Sequence, residues 1–221
     1  MGGKFMLIGV CGKSCSGKST FSSYLTCIYW NKIVCVDIDK IGHDVLNIPK
    51  VQLNLVLAFG ESIIENGIVS RKRLGSIVFS SPQEMDKLTN ATWPFMENLI
   101  DKVIRENSDK IVVLDWQLLP KTKYMTACDL KILFDIPYEV RKKRAFLRDN
   151  ITESDFELRD SASLDFQKED FDFVLENNEK ETIRGVMKLL WQEFYIQGAL
   201  TLLLKDTWIL LSKQVICLMK F

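Results

Sequence analysis

The sequence predicts an α/β protein with a parallel sheet of five short strands flanked by helices. Three observations lead to this class: short apolar runs alternate with helical stretches, the first run enters a Gly- and Ser-rich loop, and aspartates follow two later runs. Strands buried in parallel sheets are almost continuously apolar, and the connection between two of them is usually a helix. Ligands of such sheets bind at the carboxyl ends of the strands.

The first strand and helix enclose a phosphate-binding loop. Residues 5–11 (FMLIGVC) form the predicted strand, residues 19–30 have helical spacing, and residues 12–19 (GKSCSGKS) fit the pattern G-x-x-x-x-G-K-[ST]. In this pattern backbone N–H groups cradle phosphates, the lysine reaches the β and γ oxygens, and the hydroxyl binds Mg²⁺. The helix N-terminus adds further donors. The predicted ATP-binding residues are Gly12, Lys13, Ser14, Cys15, Ser16, Gly17, Lys18, Ser19 and Thr20.

Four further strands complete the predicted sheet, at residues 32–36, 111–114, 130–136 and 171–175. Asp37, Asp39 and Asp115 follow the second and third strands, so we expect them at the same edge as the phosphate loop. Asp37 and Asp39 flank Ile38 where the second strand ends, and we expect only one of them to face the loop directly. The aspartate that faces the loop would orient an acceptor hydroxyl or hold metal-bound water, while the other points away or caps the next helix. Alternatively, both aspartates only cap the helix that follows. We predict Ser19 and Asp37 as ligands of Mg²⁺.

Helical segments supply the remaining candidate residues. Arg144 and Arg148 lie four residues apart on the helix after the fourth strand, so they share a face and can close over a γ-phosphate as part of a lid. The alternative is a solvated basic face, because residues 141–144 are all cationic. Capping-box patterns predict helix starts at Ser81 and Ser154. Trp116 stands where many ATP-hydrolysing motors have a glutamate, which disfavours hydrolysis as the purpose of the site.

Composition limits the partners and the compartment. Lys plus Arg and Asp plus Glu both number 29, so the chain has no net field to attract nucleic acid. The six cysteines show no C-x-x-C spacing, and no hydrophobic leader precedes the first strand, so we expect a cytoplasmic protein with reduced thiols. Residues 196–221 are apolar, but charged residues interrupt every window long enough to span a membrane. We expect this extension to form a helix that adds packing to the fold or self-associates, to lie as a helix on a membrane surface, or to be poorly ordered.

The arrangement of these motifs resembles the dephospho-CoA kinase family. The resemblance rests on IGVCGKSCSGKST, VDIDKIGHDVL, GIVSRKRLGSIVFSSPQEMDKL, LDWQLL, RKKRAFLRD and FVLENN, in this order and spacing. It implies a P-loop kinase that uses ATP and Mg²⁺ to phosphorylate the ribose 3′-hydroxyl of dephospho-CoA, the last step of coenzyme A synthesis. It further implies a core of residues 1–39 and 109–195 with a lid at about residues 144–165, a helical substrate-binding insertion at residues 40–108, and an extension at residues 196–221.

The resemblance also implies roles for individual residues. Asp39 matches the catalytic base, Lys18, Arg144 and Arg148 match the groups that neutralise the transferred phosphoryl group, and Asp39, His43, Arg71 and Leu118 fall on the acceptor side. The chain has Lys13 and Cys15 where the family usually has glycine, and Trp93 where it has histidine. Trp93 either stacks on an adenine or belongs to the core. Two other functions remain open: a kinase of another nucleoside-like acceptor, and a non-catalytic nucleotide-binding module that docks through its extension.

Overall fold

The structure is a computed structural model that describes residues 5–28, 32–78 and 80–176. The strands are β1 (Met6–Gly12), β2 (Ile33–Asp37), β3 (Ile64–Glu65), β4 (Ile68–Val69), β5 (Ile111–Asp115), β6 (Leu130–Phe134) and β7 (Phe173–Leu175). The helices are α1 (Lys18–Ile28), α2 (Ile38–Val45), α3 (Pro49–Phe59), α4 (Arg71–Val78), α5 (Pro82–Glu106), α6 (Tyr124–Ala127), α7 (Tyr138–Asp149) and α8 (Glu153–Ser161). The predicted extension at residues 196–221 lies outside the described residues.

A five-stranded parallel sheet organises the described chain, as the sequence predicts. The strand order is β2-β5-β1-β6-β7, so β1 occupies the centre and carries the phosphate loop at its carboxyl end. The register pairs Asp37 of β2 with Asp115 of β5, and Val10 of β1 with the same Asp115. The loop and the acidic strand ends therefore share one edge of the sheet.

The sheet is buried on both faces because apolar side chains occupy both sides of each central strand. In β1, Leu7 and Cys11 pack into one core cluster, while Ile8 and Val10 pack into another on the opposite face. Strand β6 ends at Phe134, two residues earlier than predicted. Pro137 lacks an N–H group and restricts the residue before it, so the chain turns away from the ladder there.

The chain between β2 and β5 forms α2 to α5 with a small core of its own, which includes Val51, Leu55, Ile63 and Leu74. The sequence predicts only helices here, but the structure also contains the antiparallel hairpin of β3 and β4. Its turn uses Asn66 and Gly67, with φ angles of 52° and 79°. Asparagine and glycine adopt such positive φ angles more readily than other residues, which explains a two-residue turn at this point.

One predicted helix start is confirmed and the other is wrong. Ser81 caps α5 by accepting a hydrogen bond from the backbone N–H of Glu84, and Pro82 occupies the first helical position. Helix α8 starts from Thr152 instead of Ser154, because Thr152 and Asp155 form the reciprocal capping box. Threonine is a good capping residue, and the correct partner is the acid three residues after it.

Within the described residues, no helix has the length and apolar character needed to cross a bilayer. The division into core, insertion, lid and extension stays a prediction.

Candidate active site

The phosphate loop joins β1 to α1 through three residues with positive φ angles. Gly12, Cys15 and Gly17 have φ angles of 147°, 60° and 100°. Glycine accepts these conformations easily, whereas a residue with a Cβ atom is strained in the left-handed region, as Cys15 is. Lys13, the other residue that replaces a usual family glycine, is not among the residues with positive φ. Of the two replacements, only Cys15 therefore strains the backbone.

The loop has the features of an anion cradle. Lys18 Nζ donates to the carbonyl oxygens of Gly12 and Lys13 at 2.9 and 3.4 Å, which holds the ammonium group over the loop. Ser16 Oγ is buried, and it has no hydrogen-bond partner among the described residues. A Cβ atom at Gly12 would lie 2.7 Å from Ser16 Oγ and 2.7 Å from the Phe134 carbonyl oxygen, so the loop closes tightly only with glycine there. An unpaired buried hydroxyl in such a loop is ready to donate to a phosphate oxygen.

Asp115 lies at the base of this loop and contacts α1. Ser19 Oγ donates to Asp115 Oδ2 at 3.4 Å. Burial raises the pKa of Asp115 to about 6, with Asp37 and Asp39 adding to this effect while Lys18 and Ser19 oppose it. Three carboxylates near one lysine leave the site short of positive charge. A divalent cation would relieve this imbalance.

The two aspartates after β2 take different positions. Asp37 is the N-cap of α2, and its Oδ1 accepts a hydrogen bond from the backbone N–H of Lys40 at 3.0 Å. Asp39 stands in the first turn of α2, near Lys18. Burial of its carboxylate raises the pKa of Asp39, and Lys18 opposes that rise. The prediction that one of the pair caps the helix is confirmed, and the capping residue is Asp37.

The two predicted lid arginines differ in their contacts. Arg144 Nη1 donates to the carbonyl oxygens of Cys15 and Ser16, both at 3.4 Å, so α7 contacts the phosphate loop. Arg148 forms a two-point ion pair with Asp149 at 2.7 and 2.9 Å. Helix α7 is not a uniformly solvated basic face, because Arg141 is buried and pairs with Asp160 of α8.

The acceptor-side residues lie on α2, on α4 and after β5. His43 Nδ1 lies 3.1 Å from Arg71 Nη1, which joins α2 to the start of α4. Leu118 is exposed in the turn that follows β5 and Trp116. Trp93 is half-buried and packs on the buried Trp116 with ring centroids 5.3 Å apart, which supports the core interpretation.

Besides the contact of Arg144 with the phosphate loop, two contacts of this site were not expected from the sequence. One is the pairing of His43 with Arg71. The other is the ion pair between Lys13 Nζ and Asp165 Oδ1 at 2.9 Å, which links the phosphate loop to the segment after α8. Neither has a local signal, because the partners are 28 and 152 residues apart in the chain.

Comparison with known proteins gives a consistent result. The family model described as dephospho-CoA kinase matches residues 6–182, which is most of the chain. The chain belongs to the dephospho-CoA kinase family. A dephospho-CoA kinase from Clostridium tetani is 32% identical over 200 residues, covering 86% of this chain and 86% of that protein. A dephospho-CoA kinase from Fusobacterium nucleatum is 31% identical over 176 residues, covering 78% of this chain and 90% of that protein.

Solved structures agree with this family at the level of the fold. A crystal structure of a Thermus thermophilus protein aligns with a TM-score of 0.74 at 23% identity, covering 86% of this chain and 98% of the other. The dephospho-CoA kinase from Campylobacter jejuni aligns with a TM-score of 0.56 at 21% identity, covering 86% of this chain and 97% of the other. Both alignments therefore support the fold described above.

Proposed function

We propose that this chain transfers the γ-phosphoryl group of ATP to the ribose 3′-hydroxyl of dephospho-CoA, which produces coenzyme A and ADP. The observation that carries this proposal is the placement of Asp39 beside Lys18 at the sheet edge that bears the phosphate loop. A carboxylate at this position can accept a proton from an acceptor hydroxyl next to a bound triphosphate. Membership of the dephospho-CoA kinase family supports the choice of acceptor.

Asp39 is proposed as the general base. As the acceptor oxygen bonds to the γ-phosphorus and the bond to ADP breaks, the hydroxyl proton passes to the Asp39 carboxylate. Burial raises the pKa of Asp39. A higher pKa makes the carboxylate a stronger base, as general-base catalysis requires. Positioning a nucleophile in line with the γ-phosphorus accounts for much of the catalysis in phosphoryl transfer.

Lys18 and Arg144 are proposed to neutralise charge on the transferred group. Both guanidinium and ammonium donors already contact backbone carbonyls of the phosphate loop, so they lie beside the place where phosphate oxygens would bind. Arg148 is proposed to join them when α7 and α8 close, although its guanidinium pairs with Asp149 in this structure. Closure would exclude water, which competes with the acceptor for the phosphoryl group.

The donor set beside the loop fits Mg²⁺. The Ser19 hydroxyl and the Asp115 carboxylate are hard oxygen ligands, and Asp37, the predicted second ligand, is paired with Asp115 across β2 and β5. Within the described ranges no three His, Cys, Asp or Glu side chains form a metal-binding group. That suits Mg²⁺, which usually keeps waters and phosphate ligands and takes only one or two protein carboxylates. When bound, Mg²⁺ supplies charge neutralisation at the β and γ oxygens.

Cysteine content and net charge support proposals for the compartment and the partners. We place the protein in the cytoplasm, with reduced thiols, and expect no nucleic-acid partner because the net charge is zero. Cys11, Cys15, Cys27, Cys35 and Cys128 are free thiols in the described chain, which supports a reducing compartment.

The test is ADP production from Mg-ATP with and without dephospho-CoA. We expect ADP release that depends on dephospho-CoA, stops on chelation of Mg²⁺, and yields a product phosphorylated on the ribose 3′ position by ³¹P NMR. ATP binding without any stimulation by dephospho-CoA would overturn the proposed acceptor.

A further inference from the structure

The hydrogen bond between His43 and Arg71 requires one particular tautomer of the imidazole. Arginine side chains carry five N–H donors, no acceptor, and a charge that is never lost in proteins. In the contact of 3.1 Å, Arg71 Nη1 must therefore donate, and His43 Nδ1 must accept through its lone pair. An imidazolium has no such lone pair, because both ring nitrogens carry protons. The contact exists only while His43 is neutral and its single proton is on Nε2.

A neutral partner leaves the charge of Arg71 free to bind an anion. Arg73, two residues further along α4, pairs with the carboxylate of Glu65 at 3.3 Å. Within residues 5–28, 32–78 and 80–176, no carboxylate forms an ion pair with Arg71. The imidazole orients the guanidinium without neutralising it. A guanidinium held in this way is suited to a diphosphate group, which it can bind through two parallel hydrogen bonds.

We propose that His43 is a positioning residue that holds Arg71 for the acceptor. The proposal rests on the proposed function, in which the acceptor carries a diphosphate and Arg71 lies on its side of the site. His43 does not touch the acceptor. It acts through Arg71, and its loss weakens acceptor binding while leaving the transfer step from the ternary complex nearly unchanged.

The chain offers a direct spectroscopic test, because His43 is its only histidine. In protein without a histidine tag, ¹H–¹⁵N NMR of the imidazole reports one residue. We expect a neutral ring protonated on Nε2 at pH 8, and a change in the Nδ1 resonance on Arg71→Ala but not on the control Asp44→Asn. Asp44 is the next residue on α2 and is exposed. A ring protonated on Nδ1 at pH 8 would overturn the proposal.

Kinetics test the role in acceptor binding. We expect His43→Ala to raise KM for dephospho-CoA about tenfold at pH 8 with kcat changed less than about twofold, the size expected for losing a hydrogen bond to a charged group. His43→Asn can restore a hydrogen-bond acceptor for Arg71, so its KM should lie closer to that of the wild type than the KM of His43→Ala does. In an Arg71→Ala background, His43→Ala should have no further effect.

Two outcomes would contradict the proposal. A large effect of His43→Ala on KM in the Arg71→Ala background would mean that His43 contacts the acceptor itself. A loss of kcat without a change in KM would mean that His43 acts on Asp39. If no dephospho-CoA-dependent rate existed, the proposed function and the acceptor role of Arg71 would both fail, while the NMR arm would still decide the His43–Arg71 contact.

Discussion

Asp37 caps the helix that carries Asp39. The hydrogen bond from the Lys40 backbone N–H to Asp37 Oδ1, at 3.0 Å, fixes the first turn of α2, in which Asp39 stands. Two similar aspartates, separated by one residue, thus have different structural positions. The first defines where the helix begins, and the second lies in the first turn, where its carboxylate interacts electrostatically with Lys18.

The cap makes a prediction about stability. Asp37→Ala should lower the free energy of unfolding by about 1 kcal/mol, because the N–H of Lys40 loses its partner. Asp37→Asn should preserve most of that stability, since asparagine caps helices as well as aspartate does. Urea unfolding of both variants checks this. Equal destabilisation by the two substitutions would mean that the charge of Asp37 matters more than its hydrogen bond.

The burial of Asp115 leads us to predict that the stability of the fold depends on pH. Its pKa is raised from 3.8 to about 6, so the fold disfavours the ionised carboxylate. Its contribution is therefore most favourable below pH 4, declines as the pH rises from about 4 to 6, and stays unfavourable above that range, by up to about 3 kcal/mol. Without Mg²⁺, Asp115→Asn should be more stable than the wild type at pH 7.5, and the difference should shrink towards pH 4. A difference that grows as the pH falls would contradict the burial of this charge.

The backbone conformation of Cys15 leads to a prediction about which substitutions the phosphate loop tolerates. Its φ angle of 60° strains a residue with a Cβ atom, and a β-branched side chain is strained most. Cys15→Gly should leave stability and ATP affinity nearly unchanged or improved, because relief of strain offsets the added freedom of the unfolded chain. Cys15→Val should lower the free energy of unfolding by about 1–2 kcal/mol and weaken ATP binding. Calorimetric titration with ATP and thermal unfolding compare the pair, and identical behaviour of the two variants would refute the argument.

Much of the fold could be predicted from the sequence because its signals are local. Continuous apolar runs marked the five parallel strands. The phosphate-loop pattern predicted a helix from Ser19, one residue after the observed start of α1 at Lys18. The hairpin of β3 and β4 was missed although Asn66-Gly67 between apolar residues is a strong turn signal. The start of α8 was placed two residues late because two overlapping capping patterns compete in this segment.

The site was predicted less completely because its contacts depend on packing. The strand-end aspartates could be assigned to one edge of the sheet from topology alone. The hydrogen bond between Arg71 and His43 could not be predicted, because it depends on how α2 and α4 pack against α5. The same applies to the contact of Arg144 with the carbonyl groups of Cys15 and Ser16, which joins distant segments of chain.

The central claim is that Asp39 activates the acceptor hydroxyl beside the phosphate loop. The most direct measurement is single-turnover transfer of the labelled γ-phosphoryl group of ATP to dephospho-CoA, by the wild type and by Asp39→Asn, with Asp44→Asn as the control. We predict that Asp39→Asn binds ATP within a few-fold of the wild type and transfers the label at least about 100-fold more slowly, because a general base acts mainly in the transition state. Transfer by Asp39→Asn at the wild-type rate would contradict the account.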